Sequence, residues 1–157
     1  MFSAEVLKQF DLNGPRYTSY PTADRFTVGF TDGDYATALR TMARKPASLY
    51  VHVPFCRSLC YYCACNKIIS KSSTIADEYL TSLAREMDLV AAAQPALPIV
   101  QVAFGGGTPN YLTIEQLTRL VRDLEAHFDF LPEREQGVEL DPRFLDAEYV
   151  AALPALG

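Results

Sequence analysis

SLYVHVPFCRSLCYYCACNK, residues 48–67, is the stretch on which the fold turns. Its first eight residues alternate. Leu49, Val51, Val53 and Phe55 fall on one face of an extended chain, and the β-branched and aromatic content suits a strand. The next ten, 56–65, hold all four cysteines of the chain in the pattern C-x3-C-x2-C-x-C. A strand running straight into a thiol loop places chemistry at the strand's C-terminal end. Cysteines this close together are poor material for a disulfide framework, because bridges among them close only tiny loops. Metal is the better reading.

Outward from this stretch, strand and helix alternate. Residues 75–93 form an amphipathic helix with Ile75, Tyr79, Leu80, Leu83, Met87 and Val90 at helical spacing. IVQVAF (99–104) is a second strand. Thr113 and Gln116 make a capping box that opens a helix to about Phe128, with Ile114, Leu117, Leu120, Val121 and Leu124 inward. QGVEL (136–140) reads as the third strand, and Asp146 caps a short final helix. On the other side, residues 10–30 are rich in Gly, Pro, Ser and Thr and read as an irregular arm. A short helix follows, begun by Thr31 or Asp32. Three βα units predict an α/β fold with parallel strands and right-handed crossovers, the first part of a (β/α) barrel. Eight such units take about 250 residues. The expected division is an arm and helix over 1–47 and a barrel segment over 48–157. The segment is read as truncated at ALPALG, where a fourth strand is expected.

Composition bounds the function classes. Of 157 residues, 49% are hydrophobic, with nine Phe and nine Tyr, which is enough for a packed core. The N-terminus lacks the pattern of a signal peptide, and no apolar run reaches the length of a membrane span. The expectation is a cytoplasmic protein with reduced thiols. A formal charge of −5 argues against broad nucleic-acid binding. That charge is uneven: residues 1–71 carry nine Lys/Arg against five Asp/Glu, and residues 72–157 five against fourteen. Solvated helix faces account for the acidic half. Alternatively, the cations Arg16, Arg25, Arg57, Lys67 and Lys71 sit near thiolates or an anionic substrate.

Parallel βα folds place their sites at the C-terminal ends of the strands. The cysteine loop follows the first strand, GGGTP (105–109) the second, and Glu139 and Asp141 end the third. Zinc ribbons and fingers separate two ligand pairs by a longer spacer, absent here, whereas an iron–sulfur cube accepts a compact cysteine loop. A tight four-cysteine zinc site remains the alternative. In the iron–sulfur reading Cys56, Cys60 and Cys63 are the ligands and one iron stays open. Cys65, one residue beyond Cys63, is awkwardly placed to join the same cube. The glycines let backbone N–H groups approach a carboxylate, and Glu139 offers an acceptor for an ammonium or a ribose hydroxyl. Tyr50 and His52 share the face opposite Val51 and Val53, so they point toward the site if the valines face the helices. His52 is a candidate for hydrogen bonding or proton transfer; His127 is read as structural.

C-x3-C-x2-C after a first strand and a glycine-rich segment after the second resemble the radical S-adenosylmethionine (SAM) superfamily. GPRYTSYPTA (14–23), LYVHVPFC (49–56), CYYCACNK (60–67), FGGGTPNYL (104–112) and VELDPR (138–143) resemble, in that order, the N-terminal portion of its oxygen-independent coproporphyrinogen III oxidase (coproporphyrinogen dehydrogenase) family. The resemblance implies a [4Fe–4S] cluster on Cys56, Cys60 and Cys63, with SAM on the fourth iron. It also implies a 5′-deoxyadenosyl radical that removes hydrogen from a propionate, which then loses CO2 to leave a vinyl group. Two such steps turn coproporphyrinogen III into protoporphyrinogen IX in haem biosynthesis. By the same resemblance two SAM molecules bind, Tyr50, Tyr62, Gly106 and Glu139 meeting the first and Gly107 and Thr108 the second. Cys65 matches a cysteine the family keeps outside the cluster. An electron donor of unspecified identity and a monomeric state are also expected. The haem chaperone of the same superfamily shares the three cysteines and GGGTP, but typically lacks the counterpart of Cys65 and the GPRYTSYPTA arm. A non-catalytic iron–sulfur-binding fragment is the reading from another class.

Overall fold

The computed structural model describes residues 3–11, 22–42, 45–72 and 74–157. The chain divides into two compact units, Met1–Asp34 and Tyr35–Gly157. In the first, helix α1 spans Ala4–Phe10, and its Ser3 cap accepts a hydrogen bond from Val6 N. The sequence offered no periodicity to announce this short helix. A single 3-10 turn covers Ala23–Arg25. Residues 14–21 of the GPRYTSYPTA stretch, Arg16 among them, lie outside the described residues. Helix α2 spans Asp32–Thr41, its residues from Tyr35 onward belonging to the second unit. Thr31 N donates to Asp34 Oδ2 at 2.8 Å and Asp34 N to Thr31 Oγ1 at 3.3 Å, so Thr31 is the residue that opens α2.

The second unit carries the expected βα order. Strand β1 is Ala47–Val53, and a two-residue strand β2, Phe55–Cys56, pairs in parallel with β3, Ile68–Ile69. Helix α3 is Thr74–Ala93, strand β4 Pro98–Gly106, helix α4 Ile114–His127, strand β5 Asp129–Val138 and helix α5 Ala147–Ala152. The main sheet has the order β1-β4-β5 with both pairs parallel, so each strand lies beside its predecessor. Adjacent order through helical crossovers is how a barrel wall begins.

Burial from Val51 to Phe55 follows the period-2 reading. Val51, Val53 and Phe55 are buried, as are Ile99, Val102 and Phe104 on β4. They meet Ala76, Leu80 and Met87 of α3 and Leu117, Leu120, Val121 and Leu124 of α4 in one core. At roughly 1.5–3 kcal/mol for each fully buried large aliphatic or aromatic side chain, this cluster dominates the unit's stability. Thr113 caps α4 in a reciprocal box with Gln116, and Asp146 caps α5 by accepting from Tyr149 N at 2.7 Å. The third strand differs from expectation. β5 starts directly after α4, seven residues before Gln136, and bulges: Ile99 faces Phe130, whereas Gln101 faces Glu135. Pro132 and the charged Glu133–Glu135 run disguise a strand that only Phe130 and Val138 tie to the core. Among the described residues no helix is long and apolar enough to cross a membrane.

His127, at the end of α4, links the two helices: Nδ1 donates to Asp123 O at 2.6 Å and Nε2 lies 3.0 Å from Asp88 Oδ1 on α3. The Asp123 carbonyl first, then Asp88, raises its pKa above 6.5. A raised folded pKa gives stabilisation that is complete below the unfolded value and lost as pH rises through the folded one. Urea unfolding of His127→Gln should show a deficit of about 0.5–1 kcal/mol at pH 5.5, shrinking toward zero at pH 8.5. A deficit that grows with pH would contradict the assignment.

Candidate active site at the strand ends

The root of the cysteine loop is fixed before any cysteine is reached. Phe55 is buried with its ring edge-on to Tyr79 at 5.5 Å and tilted against Tyr111 at 5.2 Å. The Tyr79 hydroxyl donates to His52 O, and the Tyr111 hydroxyl to Ser72 O at 2.5 Å. Ile68 N donates to Pro54 O at 2.6 Å and Ser70 N to Cys56 O at 3.0 Å, closing the loop at its neck. That β2–β3 neck is absent from the sequence reading, because two-residue strands carry no period.

All four cysteines are free: Cys56 is buried, Cys60 and Cys63 half-buried, Cys65 exposed. Cys56 Sγ lies 3.3 Å from Thr108 Oγ1, which joins the loop to the segment after β4. Cys63 N donates to Cys60 O at 3.2 Å. The Cys63 thiol is held below its ordinary pKa, first by a hydrogen bond from the Cys65 backbone, then by Cys65's side chain and nearby Lys67. Cys65 is pushed up, chiefly by its side-chain hydrogen bond with Cys63. The loop therefore offers sulfur donors of the kind soft metals and iron–sulfur clusters take.

Glycine is required on the facing strand. Gly105 and Gly106 are the last residues of β4 and sit opposite His52 and Val53. A Cβ on Gly105 would lie 2.9 Å from Tyr50 Oη and 3.0 Å from Glu139 Oε2. On Gly106, at φ +111°, it would lie 2.8 Å from the His52 ring; on Gly107, 2.8 Å from Phe55 O and 3.0 Å from Cys56 Sγ. Gly107 N donates to Val53 O at 2.8 Å and Glu139 N to Phe104 O at 2.9 Å, so the ladder binds the three strand ends together. Tyr50, His52, Glu139 and the glycines thus meet on one rim.

His52 is oriented. Its Nε2 is 2.9 Å from the Asn66 carbonyl, which can only accept, so Nε2 carries hydrogen and Nδ1 faces the Tyr50 hydroxyl at 3.4 Å. Partial burial first, then Glu139 and Cys65, raises the Tyr50 phenol pKa. Tyr62 stands apart, 88% exposed on the loop.

Two residues escaped sequence reasoning. Asn110 is buried and latches the β5 exit: its Nδ2 donates to Asp141 O at 3.0 Å and its Oδ1 accepts from Asp141 N at 2.8 Å. Arg143 forms a 2.6 Å ion pair with Asp141 and also reaches Cys60 Sγ at 3.5 Å. Motif spacing within PNY and LDPR gives no hint that the two segments touch. Free thiols in one loop are donors of the kind a [4Fe–4S] cluster takes, although among the described residues no three His, Cys, Asp or Glu are gathered as a single-ion site. The Ser58 hydroxyl, buried in the same loop, has no hydrogen-bond partner among the described residues.

Comparison with known proteins identifies the relatives of this chain. The radical SAM superfamily model matches residues 50–157. The oxygen-independent coproporphyrinogen III oxidase of Pseudomonas aeruginosa is 43% identical over 161 residues, covering 99% of this chain and 35% of its own. That of Mannheimia haemolytica is 40% identical over 87% of this chain and 94% of its own. The solved structure of coproporphyrinogen III oxidase from Escherichia coli, described as a radical SAM enzyme, superposes with a TM-score of 0.86. It is 37% identical and is covered over 98% of this chain and 34% of that one. The chain spans about a third of the length of the Pseudomonas aeruginosa relative and of the solved Escherichia coli chain.

Gly106→Ala should combine a left-handed backbone penalty with a ring collision. We expect a loss of about 1–3 kcal/mol in urea unfolding and displacement of the His52 imidazole resonances in NMR spectra. Unchanged stability together with unchanged imidazole shifts would refute the close packing described.

Proposed function

The chain belongs to the radical SAM superfamily, and from that premise we propose that it carries the cluster- and SAM-binding portion of an oxygen-independent coproporphyrinogen III oxidase. The observation that carries this reading is the meeting of three strand ends. The free thiols, the glycine run and Glu139 lie on one rim, with Cys56 Sγ 3.3 Å from Thr108 Oγ1. Relatives named oxygen-independent coproporphyrinogen III oxidase support it over the haem chaperone.

In this reading Cys56, Cys60 and Cys63 hold the [4Fe–4S] cluster, and Cys65 stays outside it. Gly106, Tyr50, Tyr62 and Glu139 contact one SAM, and Gly107 and Thr108 a second. When bound, the reduced cluster supplies the electron that cleaves SAM to the radical that takes hydrogen from a substrate propionate. The chain's own residues do the positioning. The glycine backbone admits the SAM methionine moiety, while Glu139 receives its ammonium or a ribose hydroxyl. His52, with Nε2 donating to the Asn66 carbonyl, keeps its Nδ1 against the Tyr50 hydroxyl at the rim. The packed root under Phe55 shields one side of the loop from water. Each propionate gives a hydrogen atom to the SAM-derived radical and an electron to a one-electron acceptor, and loses CO2, to become a vinyl group. The substrate is coproporphyrinogen III, and the electron source a low-potential one-electron donor. Residues 1–47 serve as arm and helix and 48–157 as the first barrel segment of a monomeric, cytoplasmic protein.

Electron paramagnetic resonance on the anaerobically reconstituted, dithionite-reduced chain tests this. We expect a [4Fe–4S]+ signal that shifts on adding SAM and disappears in Cys56→Ala. Stoichiometric zinc, or a cluster indifferent to SAM, would refute the reading.

A further inference from the structure

We propose that Arg143 tunes the cluster from outside, donating a charged hydrogen bond to the Cys60 sulfur and thereby raising the cluster's reduction potential. This rests on the reading of Cys60 as a cluster ligand.

The argument starts with how firmly the guanidinium is held. Asp141 follows β5 and caps the 3-10 turn Pro142–Phe144 by accepting from Arg143 N at 3.0 Å. Buried Asn110 holds the Asp141 backbone through both its N–H and its carbonyl, so the carboxylate has a fixed base. Arg143 Nε donates to Asp141 Oδ1 at 2.9 Å and Nη2 to Oδ2 at 2.6 Å, a two-pronged grip that fixes the plane of the group. Nη2 carries two hydrogens. One is taken by Asp141, and the other meets Cys60 Sγ at 3.5 Å. The ion pair therefore presents its positive end to the sulfur.

Arginine suits this place, being charged at every working pH and rigid in its fork. Hydrogen bonds to ligand sulfurs and nearby charge are among the levers that set iron–sulfur potentials. One-electron reduction adds a negative charge to the cluster, so a cation-borne donor at Cys60 favours the reduced state. The electron comes from a low-potential one-electron donor, dithionite in the test below. Arg143 acts through Cys60 and is a positioning residue. Its neighbour Arg57 is a different case: its guanidinium lies 5.6 Å from the Tyr111 ring centre and 5.7 Å from that of Phe144.

The full chain, reconstituted anaerobically with iron and sulfide, would be titrated with dithionite without SAM, the reduced cluster being read by electron paramagnetic resonance. Arg143→Met should lower the midpoint, so that the ratio of reduced to oxidised cluster at a fixed potential falls about tenfold, about 59 mV for one electron. Arg143→Lys, which keeps the charge and loses the fork, should fall between. A role confined to folding would lower cluster yield and leave the midpoint of the assembled clusters unmoved. Equal midpoints for wild type and Arg143→Met overturn the inference while leaving the proposed function intact. Failure of the wild type to take up a cluster overturns both. If Arg143→Met assembles no cluster, Arg143→Lys decides: an unshifted midpoint counts against the proposal and a lowered one supports it.

Discussion

The site depends on how closely three backbones approach one another at the ends of β1, β4 and β5. Side chains on residues 105–107 would meet, in turn, Tyr50 and Glu139, His52, and the backbone leading into Cys56. Only hydrogen fits in those places. The ladder bonds from Gly107 to Val53 and from Glu139 to Phe104 show that the closeness is made by sheet pairing. The absence of side chains permits it, and the hydrogen bonds hold it. At Gly106 a second requirement is added, since φ +111° is a region that other residues enter at a cost of about 1–2 kcal/mol. The distance between the thiol loop and the Glu139 carboxylate is therefore a property of the backbone, little dependent on side-chain freedom.

The loop itself would be soft without its anchor. Ten residues bearing thiols, tyrosines and a cation have little apolar burial of their own. Their stiffness is borrowed from Phe55, whose ring is packed between two tyrosines that each spend their hydroxyl on a backbone carbonyl at opposite sides of the loop. Buried aromatic hydroxyls need partners, and here the partners are the carbonyls of His52 and Ser72, before the loop and after it. One requirement of core chemistry thus becomes a clamp on a functional segment. The same economy recurs at Asn110, a buried amide satisfied by the backbone of Asp141.

What could be read in the sequence was what repeats. Val51, Val53 and Phe55 at period two and Leu117, Leu120, Val121 and Leu124 at helical spacing are consequences of one buried face, and burial is strong enough to leave a pattern. Caps at Thr113 and Asp146 were legible for a related reason, because few residue types accept from a helix N-terminus. The start of β5 was hidden: its bulge breaks the alternation, and Pro132 beside acidic residues imitates a loop. The β2–β3 neck is too short to show a period. Within the site, Tyr50, His52 and Glu139 could be placed on the rim from strand order. The contacts of Asn110 with Asp141 and of Arg143 with Cys60 could not, since they cross 31 and 83 residues and depend on where two irregular turns end.

Charge gives the sharpest case of this limit. Counted along the chain, cations outnumber acids in the first 71 residues and acids outnumber cations in the rest, which invites the picture of a basic half around the thiols. The fold interleaves the halves. Arg57, from the basic half, lies against the aromatic rings of Tyr111 and Phe144. The guanidinium that reaches a cysteine sulfur comes from the acidic half, held there by an acid two residues away. Glu139, from the same half, adds to the effect of partial burial in raising the Tyr50 phenol pKa. Electrostatics falls off over about 10 Å at ordinary salt, so what acts on the site is the handful of charges the strand ends bring within that radius. Those charges are selected by topology, and a sum over sequence halves averages across what matters: Glu139, Asp141 and Arg143, carboxylates and cation together, all follow β5 and meet the thiol loop from there.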